Sequence, residues 1–193
     1  MNYLAHLYFA KNTPYSAVGN LMGDFMKGVD KEALPEQTLR GIETHRMIDR
    51  YTDSHHLVRS LKPLLSERRR RFSGLISDVV FDHFLAKHWQ QFHPQTLPHF
   101  CQQTYRNIQA YPEPLPGRMP RVVESMIRDN WLAAYADLVI TGQAIDSMSK
   151  RIRFKNQLAG AIDEVITHYD VYERHFLEFF PYLRRHVERH GNE

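Results

Sequence analysis

The segment at residues 41–56 puts titratable side chains on the helix face that should be buried. Four of them recur at spacings of four, four and three residues: His45, Asp49, Asp53 and His56. A helix turns about 100° per residue, so positions with this spacing lie on one side. Leu39 and Ile42 fall on that side too, with Arg46 between them. Because burial of an unpaired carboxylate is strongly unfavourable, the fold must supply a compensating charge.

Helical periodicity extends along almost the whole chain of 193 residues. The alternation of apolar and polar residues that is typical of strands is not sustained anywhere, and no internal repeat occurs. With 42% hydrophobic residues, the chain can bury one substantial core. The sequence therefore predicts an all-α, single-domain helical bundle over residues 1–193.

Proline and glycine positions divide this pattern into predicted helices. Thr13 is a suitable N-cap, and Pro14 suits the first helical position. Pro181 is a candidate kink in the last helix. The predicted helices cover residues 13–28, 35–57, 71–92, 97–111, 120–142 in two pieces, 143–153 and 158–190.

Cysteine content and hydropathy bear on the cellular setting. Cys101 is the single cysteine, which excludes an internal disulfide and fits a reducing compartment. No run approaches the roughly 20 apolar residues of a membrane span, and the apolar start lacks the pattern of a signal peptide. We therefore expect a cytoplasmic protein with no membrane partner.

A second predicted helix also turns acidic residues toward its apolar arc. Asp78 and Asp82 are four residues apart and stack on one face. On a helical wheel Asp82 falls between Leu75 and Trp89, inside the apolar arc. A basic side chain, a proton or a metal ion must compensate for these carboxylates.

Two upstream residues complete a candidate metal site. His6 interrupts the apolar start, and Asp24 follows Gly23 in the segment "GNLMGDF". Imidazole and carboxylate ligands without thiolates suit Mn²⁺, Mg²⁺ or Fe²⁺ better than structural zinc, and helices that converge inward can build such sites. The sequence predicts these ligands: His6, Asp24, His45, Asp49, Asp78 and Asp82.

Salt bridges without a metal are the alternative for each residue taken alone. Asp24 could cap a helix or pair with Lys27, and Asp49 could pair with Arg50. Arg46 could be the buried counter-ion of Asp78 or Asp82. Two helices that both turn acidic pairs inward are harder to explain in this way, so we favour a metal.

A metal of this kind activates water and polarises a phosphoryl oxygen. Arg46 can neutralise charge that grows on a phosphate in the transition state. A carboxylate outside the metal shell, Asp82 or Asp49, could accept the proton of the water. The expected catalytic residues are Asp24, Arg46 and Asp82, and the expected activity is that of a phosphoesterase.

Four consecutive arginines, Arg68, Arg69, Arg70 and Arg71, form the strongest basic run in the chain. Such a run is either an ordinary solvated face or a binding surface for an acidic partner. We expect these four residues to bind a partner.

The chain resembles the acyl carrier protein (ACP) phosphodiesterase family over essentially its full length. The resemblance rests on five segments in the same order: "MNYLAHL", "GNLMGDF", "GIETHRMID", "DVVFDHFLAKHW" and "HYDVYERHFLEFFP". It implies hydrolysis of the phosphodiester that joins 4′-phosphopantetheine to a serine of holo-ACP, with Mn²⁺ as the usual cation. It also implies a fold distantly similar to the HD phosphohydrolases, and it makes the acidic holo-ACP the partner of the arginine run.

Two other functions compete with this interpretation. One is an HD-like phosphohydrolase that acts on a small nucleotide, for which Trp131 and Tyr135 could form a stacking pocket. The other is a non-enzymatic protein that binds nucleic acid through its arginines, but no readable DNA-binding motif accompanies them. We therefore expect no nucleic-acid partner. The oligomeric state is left open.

Overall fold

The computed structural model describes residues 1–193 as helices joined by turns and loops, with no β-strand. This architecture confirms the predicted all-α class and the single helical domain. The α-helices are α1 (Tyr3–Phe9), α2 (Pro14–Met22), α3 (Glu36–Ser54), α4 (His56–Arg59), α5 (Ser73–Lys87), α6 (Trp89–Phe92), α7 (Leu97–Gln109), α8 (Met119–Arg128), α9 (Trp131–Ala134), α10 (Leu138–Arg151), α11 (Ala161–Thr167) and α12 (Tyr169–His190).

Side-chain caps fix where several helices begin. The Thr13 hydroxyl accepts a hydrogen bond from the backbone N–H of Ser16, and Pro14 opens α2 as predicted. Thr96 caps α7 in the same way, and the Asp137 carboxylate accepts from two N–H groups at the start of α10.

Three helices that the sequence predicts as continuous are broken. The predicted helix 35–57 ends at Ser54, because His55 is extended and its side chain caps α4 instead. The predicted helix 71–92 divides at His88, and the predicted helix 158–190 divides at His168. Pro181 lies inside α12, which continues through it. As a result His56 is not on the same helix as His45.

Two further predicted boundaries were wrong. The first long helix stops at Met22, and the 3₁₀ turn Gly23–Phe25 follows and carries Asp24. The predicted break within residues 120–142 is present, since a left-handed Asn130 separates α8 from α9, but α10 runs continuously across the boundary predicted between residues 142 and 143.

α2 and α3 pack closely because two glycines face each other. A Cβ on Gly41 would lie 2.9 Å from the Cα of Gly19, and a Cβ on Gly19 would overlap the carbonyl oxygen of Thr38. This close approach brings the backbone of Asn20 against α3, where the candidate site lies.

One apolar core joins the helices and is rich in phenylalanine. Phe81 of α5 packs edge-to-face on Phe176 of α12 with ring centroids 5.5 Å apart, and Phe176 stacks on Phe180 at 5.2 Å. Aromatic pairs of this kind add to the free energy gained from burial. None of the helices is both long and apolar enough to cross a membrane.

We expect Gly19→Ala to lower the free energy of unfolding by about 1–3 kcal/mol, because the added methyl group forces α2 away from α3. Gly74→Ala is the matched control, since its Cβ would meet nothing nearer than 3.7 Å. Urea unfolding followed by circular dichroism measures both. Equal stability of the two variants would contradict the close-packing account.

Candidate functional site

Two buried histidines and a partly exposed aspartate, from α1 and α3, form a cluster whose ligand atoms could hold a metal ion: His6, His45 and Asp49. The Nε2 atom of His45 lies 3.1 Å from Asp49 Oδ2, and Nε2 of His6 lies 3.2 Å from Asp49 Oδ1. The two imidazole rings stack with centroids 3.7 Å apart. The face of α3 that carries His45 and Asp49 therefore contacts His6 of the N-terminal segment.

The backbone of α2 and the turn after it hold the His45 ring. Its Nδ1 donates a hydrogen bond of 2.7 Å to the carbonyl oxygen of Asn20. A Cβ on Gly23 would overlap the imidazole, so only glycine lets the turn pass this close. These contacts direct Nε2 of His45 toward the carboxylates of Asp49 and Asp24.

Burial and mutual contacts set the protonation of the cluster. Burial and the neighbouring His45 lower the pKa of His6 to about 3, so that its ring is neutral. Burial opposes ionisation of Asp49, but hydrogen bonds from both histidines hold its pKa well below the usual range. Burial would lower the pKa of His45, yet Asp49 outweighs it and raises that pKa. In this arrangement a proton on His45 neutralises Asp49.

Asp24 stands beside this cluster at the surface. Its Oδ1 lies 3.6 Å from Nε2 of His45, and 45% of its side chain is exposed. Burial of the carboxyl raises its pKa, and the attraction of His45 opposes this shift only in part. Asp24 forms no ion pair with Lys27.

Asp78 pairs with the α-ammonium group of Met1, which is buried, rather than with a basic side chain. The nitrogen lies 2.7 Å from Asp78 Oδ1 and 3.5 Å from Asp49 Oδ1. Burial would lower the pKa of this ammonium, but Asp78 and Asp49 outweigh it and raise the pKa to about 10. Burial raises the pKa of Asp78. Sequence reasoning missed this charge because it considered side chains alone.

Asp82 faces the start of α1 and not the cluster. Its two carboxylate oxygens accept the backbone N–H groups of Leu4 at 2.7 Å and Ala5 at 3.1 Å. The side chain is fully buried, which raises its pKa to about 7. Asp82 thus satisfies the free N–H groups of a helix terminus, which corrects the expectation that it points toward a metal ion.

A cavity of about 570 Å³ opens above Asp49. Four carboxylates line it, and two guanidinium groups lie at its wall: Asp24, Asp49, Asp53, Asp78, Arg118 and Arg151. The Arg46 side chain is absent from this lining and forms no hydrogen bond or ion pair. It is therefore not the counter-ion of Asp78 or Asp82. Asp53 lies in the cavity wall, whereas the exposed His56 lies outside it, in a neighbouring groove. No sequence pattern marked Arg118 or Arg151.

Three of the four arginines, Arg68, Arg69 and Arg71, contact the segment at residues 154–164 of their own chain. Arg69 forms an ion pair with Glu164 at 2.6 Å and donates to the carbonyl oxygens of Gln157 and Ala159. The remaining three make further internal contacts: Arg68 with Gln157, Arg70 with Leu65, and Arg71 with Lys155 and the rings of Phe72 and Phe154. Most of the hydrogen-bonding capacity of Arg69 is therefore used within the fold.

An imidazole–carboxylate cluster below an acidic cavity is the kind of site in which metal-dependent hydrolases activate water. The chain belongs to the acyl carrier protein phosphodiesterase family, whose sequence model matches residues 1–183. This confirms the resemblance drawn from the five segments.

Curated relatives with the same family name match this chain along almost their whole length. The protein named acyl carrier protein phosphodiesterase of Serratia proteamaculans (strain 568) is 35% identical over 189 residues, which cover 97% of this chain and 98% of the relative. The protein of that name from Yersinia pestis is 34% identical with the same coverage, and that from Escherichia coli O45:K1 (strain S88 / ExPEC) is 30% identical over 98% of both chains. No solved structure matches the chain.

We expect Asp82→Ala to lower the free energy of unfolding by about 2–4 kcal/mol, since two buried N–H groups of α1 lose a charged acceptor. Asp53→Ala, which removes an exposed carboxylate without a hydrogen-bond partner, should change it by less than about 0.5 kcal/mol. Urea unfolding at pH 8 compares them. A small effect of Asp82→Ala would contradict the capping role.

Proposed function

We propose that this chain hydrolyses the phosphodiester that joins 4′-phosphopantetheine to a serine of holo-ACP, and that it uses a divalent cation to do so. The products are apo-ACP and 4′-phosphopantetheine. The observation that carries the proposal is the cluster of His6, His45 and Asp49 at the base of the cavity, in a member of this family.

The donor set fits a divalent cation. His6 is neutral, which is the form of imidazole that binds metals, and the hydrogen bond from Nδ1 of His45 directs its other nitrogen toward the carboxylates. A cation at this position would replace the proton that His45 shares with Asp49. The mixed nitrogen and oxygen donors favour Mn²⁺, with Mg²⁺ or Fe²⁺ as alternatives.

We assign His6, His45 and Asp49 as the residues that hold the cation, with Asp24 as the adjacent carboxylate. When bound, the cation would lower the pKa of a water molecule and polarise a phosphoryl oxygen. Asp78 lies farther away, against the ammonium of Met1, and acts by keeping the N-terminal segment in place. Asp82 holds α1, and with it His6, through its two backbone hydrogen bonds.

Asp24 is the carboxylate best suited to accept the proton of the attacking water. It lines the cavity, its side chain is partly exposed, and burial raises its pKa above the usual value of an aspartate. Arg118 and Arg151, rather than Arg46, line the same cavity and are available to bind the phosphate. The position of Arg46 outside the cavity lining does not support the expectation that it neutralises charge on the phosphate.

Docking of the acidic ACP domain is better assigned to the cationic wall of the cavity than to the arginine run alone. Arg118 and Arg151 are exposed and lie beside the phosphate-binding region. Arg68, Arg70 and Arg71 remain exposed and can add to the positive field, whereas Arg69 is engaged with Glu164. Such charges chiefly accelerate association and orient the partner.

Mass spectrometry of holo-ACP tests the reaction. With Mn²⁺ the wild-type protein should remove the phosphopantetheine mass, and a chelator should prevent this. Asp49→Asn should lower the rate at least about 100-fold, because the cation loses a charged ligand. The matched control is Asp170→Asn, which alters an exposed carboxylate outside the cavity.

Retention of the full mass by the wild-type protein with every metal would refute the reaction, and a panel of nucleotides should then be assayed. Removal of the mass in the presence of chelator, or by Asp49→Asn at the wild-type rate, would refute the role of the metal site. Circular dichroism verifies that each variant is folded.

A further inference from the structure

A small apolar cleft lies next to the acidic cavity and has no role in the mechanism above. It has a volume of about 200 Å³ and is formed by the first residues of the chain together with α9 and α10. Most of its lining is apolar or aromatic, and its principal members are Tyr3, Trp131, Tyr135, Ile140, Ala144 and Met148. Trp131 stacks on Tyr3 with ring centroids 6.4 Å apart.

The cleft and the cavity are adjacent. Tyr3, Met148 and Arg151 line both of them. A phosphate bound beside Arg151 would therefore lie next to the cleft. A chain attached to that phosphate could extend from the charged cavity toward the apolar cleft.

Two aliphatic side chains are exposed at the start of α10, at the opposite end of that helix from Arg151. Val139 is 69% exposed and Ile140 is 41% exposed, and only Ile140 lines the cleft. A partly exposed apolar lining of this kind is typical of ligand-binding clefts.

The size and chemistry of the cleft select one part of the substrate. The cleft, at about 200 Å³, is much smaller than the adjoining cavity of about 570 Å³, so it suits a small apolar group better than a protein helix or a whole prosthetic arm. The distal end of the arm, with its methylene groups and thiol, is small and apolar. The serine side of the diester belongs to a folded protein and must stay at the open face of the cavity.

We propose that this cleft binds the distal, thiol-bearing end of the 4′-phosphopantetheine arm. The inference rests on the proposed function, because it takes the phosphodiester to lie in the adjoining cavity. Ile140, Trp131 and Met148 then act as residues that select for this end of the arm, separately from the residues that act on the phosphate.

A binding experiment tests the cleft without requiring turnover. Two ligands are compared: 4′-phosphopantetheine, and the N-methyl amide of 4′-phosphopantothenate, which keeps the phosphate and the amide but lacks the thiol-bearing end. Trp131 is one of only two tryptophans, and the other, Trp89, is buried against Phe100 and His93. Tryptophan fluorescence can therefore report occupancy of the cleft.

The wild-type protein should bind 4′-phosphopantetheine about tenfold more tightly than the truncated ligand, because a methylene and a thiol leave water. Ile140→Glu places a charge in the cleft and should abolish this difference. Val139→Glu adds the same charge one residue away, outside the cleft lining, and should preserve it. Both positions are exposed, so neither substitution should prevent folding.

Equal affinity of the wild-type protein for the two ligands would overturn the proposal, and so would a discrimination that survives Ile140→Glu. Failure of the hydrolysis reaction can be distinguished from failure of the cleft proposal. If holo-ACP keeps its mass while the tenfold difference and its loss in Ile140→Glu are observed, the cleft is a binding site and the hydrolysis is refuted. If holo-ACP is hydrolysed without any discrimination, the reaction stands and the cleft is refuted.

Discussion

The negative charge of Asp49, which lies below the cavity against two buried imidazoles, is the constraint on which the site depends. Because this carboxylate is partly buried, positive charge and hydrogen bonds around it favour its ionised form. His45 on the same helix, His6 from α1 and the ammonium of Met1 all meet it. The close approach of α2 to α3, which Gly19 and Gly41 allow, brings the Asn20 carbonyl to His45. A metal ion would replace the proton between His45 and Asp49 and leave the other contacts around the cluster unchanged.

The first six residues connect every part of this site. Met1 supplies the ammonium group that pairs with Asp78, and Asn2 donates a hydrogen bond to the hydroxyl of the buried Tyr135. Tyr3 stacks on Trp131. Leu4 and Ala5 donate their backbone N–H groups to Asp82, and His6 is one imidazole of the cluster. The imidazole–carboxylate cluster, the acidic cavity and the apolar cleft are therefore all in contact with the N-terminal segment. A change in the position of α1 should therefore alter the cluster, the cavity and the cleft together.

The helical class and the inward face of α3 could be predicted from the sequence because both depend on periodicity, which is a local property. The partner of each inward group could not be predicted, because a helical wheel gives a direction and not a neighbour. Asp78 and Asp82 look alike on the wheel, yet one meets an ammonium and the other a helix terminus. The breaks at His55, His88 and His168 carry no proline or glycine signal. Exposure of Arg118 and Arg151 at the cavity depends on tertiary packing alone.

Direct binding of Mn²⁺ is the measurement that tests the central claim, that the cluster of His6, His45 and Asp49 is a cation site. The electron paramagnetic resonance signal of free Mn²⁺ should decrease when the wild-type protein is added and recover on addition of chelator. His45→Gln, verified as folded by circular dichroism, should leave the free signal nearly unchanged. Binding of Mn²⁺ by His45→Gln with the affinity of the wild-type protein would contradict the account.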